Sequence, residues 1–411
     1  MKFAQRLDQV PPYLFAELER KIEEKERSGM DVISLGIGDP DLPTPEPVVT
    51  ALAAAARDPS THQYPSNRGS DEFRAAAAAF YKRRFGVDLD PESEVVPALG
   101  GKEAVGHVCL ALLDPGDLCL SPDPGYPPYT SGPLFAGAEI EYLPLEEENG
   151  FLPDLDAVPE ERGARANVLF LNYPNNPTGA VVAPGFFERA VEFARTHDLV
   201  VVHDNAYSEI TFDGYRAPSF LETPGAKELG IEIFSPSKGW NMTGWRSGLV
   251  AGNAEVVERY RQLKTNLDSG MFEAVQHATV AALTEAETFP REMSEVYRRR
   301  RDLVAEALAA IGLHVDPPKA TPYFWVRVPE GYTSESFAEL VLEQAAVVVS
   351  PGPAYGPSGE GFFRISLTVP DDRLQEAVRR IEALGVVPGE PPGSPGPPPP
   401  ARFAGGSYGA A

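Results

Sequence analysis

Short apolar runs recur along the chain between stretches of helical periodicity. The runs at 32–38 (VISLGIG), 168–174 (VLFLNYP), 199–207 (LVVVHDNAY), 231–237 (IEIFSPS) and 248–253 (GLVAGN) are apolar almost throughout. Such runs suit strands buried on both faces of a sheet, where neither side meets water. Between them lie patterns such as 184–198 (PGFFERAVEFARTHD), with Pro184 placed as a helix opener. Strands alternating with helices predict an α/β fold with a largely parallel sheet.

Beyond about residue 290 the pattern changes. A long charged helix is expected over 291–312, and its four arginines at 298–301 read as a solvated or interface face. Strand-like runs follow at 323–329, 346–352 and 362–368, with helices near 335–346 and 371–384. That mixture suits a small α+β unit packed on a larger one. The expected division is an N-terminal arm and part of the small domain (1–45), a large domain (46–290) and a small C-terminal domain (291–388). The Pro/Gly-rich stretch 389–411 has too little apolar surface to order itself and is expected to be disordered.

Composition narrows the function. A formal charge of -24 argues against a nucleic-acid partner, because a phosphate backbone needs a basic face. No apolar run approaches the roughly 20 residues that span a bilayer. The N-terminus carries no apolar signal core. Cys109 and Cys119 lie in apolar stretches without metal-binding spacing and read as reduced core residues. The six histidines form no metal-spaced cluster, so no metal is expected. His203 precedes Asp204 on a strand, where neighbours face opposite sides, and reads as a packing residue. A soluble, cytoplasmic chain is expected.

The chemistry gathers at strand ends, where α/β proteins collect ligand groups. Asn176 lies in a Pro-rich turn directly after one run, Asp204 ends another with Tyr207 soon after, and Lys238 ends a third, with Arg246 eight residues further on. The segment 99–105 (LGGKEAV) opens a helix after an apolar run, so its N–H groups face a potential anion. An anion-binding helix start, a buried carboxylate, a strand-end lysine and an arginine are together what pyridoxal phosphate requires. The lysine forms the Schiff base, the carboxylate keeps the ring nitrogen protonated, and donors and a cation hold the phosphate.

These segments resemble those of the fold type I, class I/II aminotransferases dependent on pyridoxal 5'-phosphate. The likeness runs from about residue 10 to about 388, and 235–248 (SPSKGWNMTGWRSG), 172–179 (NYPNNPTG) and 203–210 (HDNAYSEI) carry it. It implies a large domain with a mostly parallel seven-stranded sheet flanked by helices, plus a smaller α+β domain. By the same resemblance Lys238 is the Schiff-base lysine and proton carrier, and Asp204 is the partner of the pyridine nitrogen. Asn176 and Tyr207 hold the cofactor's 3'-oxygen, and Tyr126 stacks on its ring. Gly101, Lys102, Ser235, Ser237 and Arg246 cup the phosphate. Arg364 forks onto the substrate α-carboxylate, beside Gly38. A homodimer with shared sites is implied, with Tyr64 reaching the partner's phosphate and Ser269 lying near the partner's substrate. The ligands implied are amino acids and 2-oxo acids.

Within the family, the N-terminal arm at 10–22 and the segments at 34–45, 173–181, 203–221 and 266–276 are similar to those of the bacterial LL-diaminopimelate aminotransferases. Those enzymes exchange an amino group between LL-2,6-diaminopimelate and 2-oxoglutarate on the route to lysine. One departure is the loop after Tyr64, where related sequences often carry a carboxylate and this chain has Asn67 and Arg68. An arginine there suits a second substrate carboxylate, as in glutamate, aspartate or 2-aminoadipate; the alternative is an Arg68 facing solvent. Alanine as donor, or a C–S lyase on the same fold, are further alternatives.

Overall fold

The structure is a computed structural model that describes residues 3–10 and 14–384, so the stretch 389–411 lies outside the described residues. The first strand, β1 (Ile33–Ser34), is short. The next seven are β2 (Val95–Ala98), β3 (Leu118–Asp123), β4 (Glu139–Pro144), β5 (Ala166–Leu171), β6 (Val200–Asp204), β7 (Gly230–Phe234) and β8 (Gly248–Gly252). They form one sheet in the order β2-β8-β7-β6-β5-β3-β4. Only β8 runs against its two neighbours. The remaining pairs are parallel. β9 (Tyr323–Arg327), β10 (Val347–Val348), β11 (Ser350–Pro351) and β12 (Phe362–Ser366) follow. Of these, β11, β12 and β9 make an antiparallel sheet, and β10 pairs in parallel with β1.

Alternation along the central strands divides the apolar side chains between two faces. Leu169, Leu171, Val201 and Leu249 join Phe73, Phe80 and Trp240 on one side. Val168, Phe170, Val202 and Val250 join Val105, Val108 and Tyr260 on the other. Phe324, Phe337, Phe363, Ile365 and Leu374 build a further cluster, into which Ile33 and Leu35 also pack.

The chain passes from β3 outward to β4, returns past β3 to β5, and then builds β6 and β7 in the opposite direction. The carboxyl ends of β3 and β5 therefore flank a topological switch point, the crevice where α/β sheets bind ligands.

Three expectations need correction. The run 32–38 yields only the two-residue β1, because the carbonyls of 36–38 serve side chains instead of a ladder. Gly36 O accepts from Ser350 Oγ (2.9 Å) and Arg364 Nη2 (2.7 Å), and Ile37 O accepts from Thr368 Oγ1 (2.9 Å). The helix near 184 begins at Phe186 with Gly185 as its N-cap, so Pro184 precedes it rather than opening it. The arginine run divides: Arg300 and Arg301 are buried, on the same face of helix Phe289–Ala310 as Tyr297 and Val304. Arg300 pairs with Asp41 (2.7 Å) and Asp371 (2.6 Å), which ties the N-terminal segment to the last helix, Asp371–Ala383. Arg301 pairs with Asp213 (2.5 Å). No described helix is long and apolar enough to cross a membrane.

Candidate active site

Lys238 sits in the single helical turn Pro236–Gly239 that follows β7. Ser235 shapes this turn: its Oγ accepts from Ser237 N (3.2 Å) and donates to Ser247 O (2.7 Å). The half-buried lysine points its Nζ at the Gly38 carbonyl, 2.5 Å away. A turn braced by two serines thus brings the amine to the segment after β1, 200 residues earlier.

Asp204 closes β6 and is buried. Its Oδ2 accepts from Tyr129 OH (2.8 Å), and its carbonyl accepts from Asn172 Nδ2 (2.8 Å). Its Oδ1 finds no partner among the described residues. Burial pushes the carboxyl up to about 6, against the lowering effect of the Tyr129 hydrogen bond. Buried polar atoms are nearly always paired, so an orphaned carboxylate oxygen marks the place of a missing N–H donor. A protonated pyridine nitrogen meets that requirement.

Arg364, on β12, is buried and held from two directions. Its Nη1 donates to Asn176 Oδ1 (2.7 Å) and its Nη2 to Gly36 O (2.7 Å). The guanidinium lies 4.1 Å from the Tyr323 ring centroid and 4.8 Å from that of Tyr355. Tyr207 and Tyr323 share a hydrogen bond between their hydroxyls (3.0 Å). Burial acts to raise the Tyr323 phenol, but the Lys238 and Arg364 charges beside it carry it below its ordinary value. Gly38 touches this group: a Cβ there would collide with the Tyr323 hydroxyl.

The anion cup forms where helix Gly101–Leu112 begins. Its N-cap, Gly100, has φ +84, and a Cβ at that position would strike Arg246 Nη2. Arg246 donates to Thr243 O in its own turn (2.7 Å) and reaches Leu99 O, just before the helix start (3.4 Å). The first-turn N–H groups of Gly101 and Lys102 and a guanidinium therefore face the same side of this helix start. Tyr126 is half-buried, edge-on to Tyr129 with ring centroids 5.8 Å apart, and Tyr129 in turn stacks on Phe170 (5.2 Å).

Lys238, Asp204, Asn176, Tyr207, Gly38 and Arg364 thus come together from five separate stretches of chain. Sequence reasoning missed Tyr129, Tyr323 and Tyr355, which carry no local signal. Their roles arise from contacts to residues 75, 116 and 9 positions away. His203 faces away from the pocket, bonded through Nδ1 to Glu232 (3.0 Å). Three candidates lie outside this chain's cluster. Tyr64 is 87% exposed, Ser269 is exposed, and Arg68 Nη2 pairs with Glu92 Oε2 (2.6 Å).

Just behind the anion cup, Glu103, His107 and Asp268 bring ligand-type atoms within 4.8 Å of one another. The cation there is Lys264, fully buried, with Nζ 2.9 Å from Glu103 and 2.8 Å from Asp268. The Lys264→Met variant would leave two carboxylates without their cation. It is expected to lose about 3–5 kcal/mol of stability, read from urea melts of the apo-protein. A loss below about 1 kcal/mol would show that water or His107 takes over.

The family model of class I and II aminotransferases matches residues 30–381. An LL-diaminopimelate aminotransferase of Moorella thermoacetica is 54% identical over 93% of this chain and 98% of its own length. One from Desulforudis audaxviator is 53% identical over 92% and 96%. A substrate-bound BacF structure from Bacillus subtilis superposes with a TM-score of 0.91 at 38% identity, covering 96% of this chain and 99% of that one. Family match, near-full-length relatives and the geometry of the pocket agree, and the chain belongs to the class I and II aminotransferases, enzymes dependent on pyridoxal 5'-phosphate.

Proposed function

We propose that this aminotransferase takes the amino group of LL-2,6-diaminopimelate and passes it to 2-oxoglutarate, in lysine biosynthesis. The observation that carries the substrate is the near-full-length identity, above one half, to relatives of that name. When bound, pyridoxal 5'-phosphate supplies a carbonyl that forms an imine and a ring that accepts the electron pair left as the substrate Cα is deprotonated.

The residues divide the work. Lys238 Nζ would hold the cofactor and, as a free amine, would move the proton at the substrate Cα. Asp204 would hold the proton on the ring nitrogen through Oδ1, the oxygen without a partner among the described residues. Asn176 and Tyr207 take the 3'-oxygen, and Tyr126 covers the ring. The N–H groups of Gly101 and Lys102, the hydroxyl of Ser237, and Arg246 would take the phosphate, whereas Ser235, expected in the cup, spends its one hydroxyl proton on Ser247 O and shapes the turn instead. Arg364, fixed by Asn176 and Gly36, presents a planar fork to the substrate α-carboxylate, a task lysine performs less well. Gly38, with no side chain, leaves room beside it.

The reading extends to a homodimer in which Tyr64 reaches the partner's phosphate site and Ser269 the partner's substrate. The exposure of Tyr64, and of Leu267 (55%) and Phe272 (44%) on either side of Ser269, supports it. The division into a large domain at 46–290 and a small domain at 291–388 with part of 1–45 accords with the separate apolar clusters. Residence in the cytoplasm accords with two buried free cysteines.

Donor choice is tested by half-reaction rates with LL-diaminopimelate, glutamate, aspartate, 2-aminoadipate and alanine. LL-diaminopimelate is expected to react fastest. Because Arg68 is engaged by Glu92 in its own subunit, Arg68→Ala is expected to alter each rate by less than about threefold. A preference for glutamate, lost by tenfold or more in Arg68→Ala, would instead assign Arg68 to a distal carboxylate and overturn this donor.

A further inference from the structure

A second buried charge lies behind Asp204, on the opposite face of its strand, and the proposed chemistry does not use it. Glu232, in the middle of β7, is fully buried and accepts five hydrogen bonds. Tyr81 OH (2.9 Å) and Asn205 Nδ2 (2.7 Å) donate to Oε1. His203 Nδ1 (3.0 Å), Ser219 Oγ (2.7 Å) and Phe220 N (3.0 Å) donate to Oε2. His203 is equally buried, and its Nε2 lies 3.0 Å from Tyr173 O and 3.3 Å from Tyr173 N. The rings of Phe187 and Phe220 close over the imidazole.

An ionic group in a core is weak evidence of stabilisation, since well-packed apolar side chains commonly do as well or better. What distinguishes this cluster is where its members sit. Tyr173 follows β5 and stands three residues before Asn176. His203 and Asn205 flank Asp204 at the end of β6. Glu232 stands six residues before Lys238, on β7. Each bonded strand end therefore delivers one group to the cofactor pocket. Strand alternation turns 203 and 205 to the side away from 204, so Glu232 holds the side chains on both sides of Asp204. The Asn205 N–H donates to Ile233 O (2.8 Å) and closes the link between β6 and β7.

We propose that Glu232 and His203 are positioning residues of the cofactor site, fixing Asp204 against Asn176 and Lys238 through the ends of three neighbouring strands. The inference rests on the cofactor reading above for what those three residues do. Glu232→Gln replaces one oxygen that only accepts with an NH2 that only donates, against donors it cannot satisfy. His203→Asn is milder: its amide keeps a donor for Glu232 and drops the link to Tyr173.

Both variants are compared with Leu374→Ala, a core truncation in the C-terminal cluster, at a temperature well below all their melting points. Pyridoxal 5'-phosphate affinity is measured by titrating the apo-proteins, alongside kcat and the donor KM. Both positioning variants are expected to bind the cofactor about tenfold to a hundredfold more weakly and to lose kcat, with donor KM within about threefold. Leu374→Ala is expected to hold cofactor affinity within about twofold despite a comparable loss of melting temperature. If Glu232→Gln does not fold, His203→Asn decides alone. Affinity in His203→Asn as tight as in Leu374→Ala would overturn the proposal. A wild-type protein that fails to bind the cofactor would instead overturn the reading of the site itself.

Discussion

Replacing Lys238 with alanine is expected to slow turnover by about ten-thousandfold or more, while the protein stays folded and still holds pyridoxal 5'-phosphate non-covalently. Two contributions are lost together, the covalent attachment and the amine that moves the proton at the substrate Cα. The other buried lysine near the cup, Lys264, cannot replace it, because its ammonium is fixed between Glu103 and Asp268. The fold is expected to survive, since the half-buried Lys238 amine makes one hydrogen bond among the described residues, to the Gly38 carbonyl. Borohydride reduction of the wild-type holoenzyme followed by peptide mapping checks the attachment. A phosphopyridoxyl group on Lys238, and none in the variant, is the expected outcome; a principal adduct on another lysine would remove Lys238 from its role.

Asp204→Ala is expected to lower kcat by roughly a hundredfold to a thousandfold, the scale of about 3–4 kcal/mol for one preorganised electrostatic partner in a buried site. Cofactor affinity should fall as well. Activity within a few-fold of wild type would leave Asp204 as a packing partner of Tyr129 and Asn172. The apo-protein offers an independent signature. Burial raises this carboxyl from its ordinary 3.8 to about 6, so the folded form holds more protons than the unfolded one between those values. The contribution to stability is full below about 3.8 and is lost as pH rises through about 6, on the order of 3 kcal/mol. Urea melts across this window should show wild-type stability falling relative to Asp204→Asn. The same slope should flatten when the cofactor is added, because a cationic N–H gives the charged form a partner. Parallel curves for the two apo-proteins would contradict the raised carboxyl.

The central sheet was legible in the sequence where strands are buried on both faces: β5, β6, β7 and β8 each fall in one of the apolar runs. β3 escaped notice because Ser121, Pro122 and Asp123 at its end read as a turn, although the strand is buried throughout. β4 lies at the edge of the sheet and exposes charged side chains, so it lacks the continuous apolar signature of its neighbours. The helical arginines at 300 and 301 read as solvated because Asp41, Asp371 and Asp213, which pair with them, lie far away in the sequence.

The same distinction holds for the pocket. Lys238, Asp204 and Asn176 are visible because each ends or follows an apolar run, and strand ends are where such sheets bind ligands. The roles of Tyr126, Arg246 and Arg364 came from family resemblance. Tyr323 and Tyr129 were invisible, because what makes them part of the site is a hydroxyl laid against Tyr207 in one case and Asp204 in the other. Glu232 looked like one polar residue in a strand, and only the five converging donors show that it is built in.

The most direct test of the whole account follows the nitrogen. Enzyme loaded with pyridoxal 5'-phosphate is given LL-diaminopimelate carrying ¹⁵N at its amino groups together with unlabelled 2-oxoglutarate. The account predicts that labelled glutamate accumulates in step with loss of the donor, one glutamate for each 2-oxo acid formed. Labelled ammonia released without glutamate, or no transfer from this donor alongside brisk transfer from another amino acid, would contradict it.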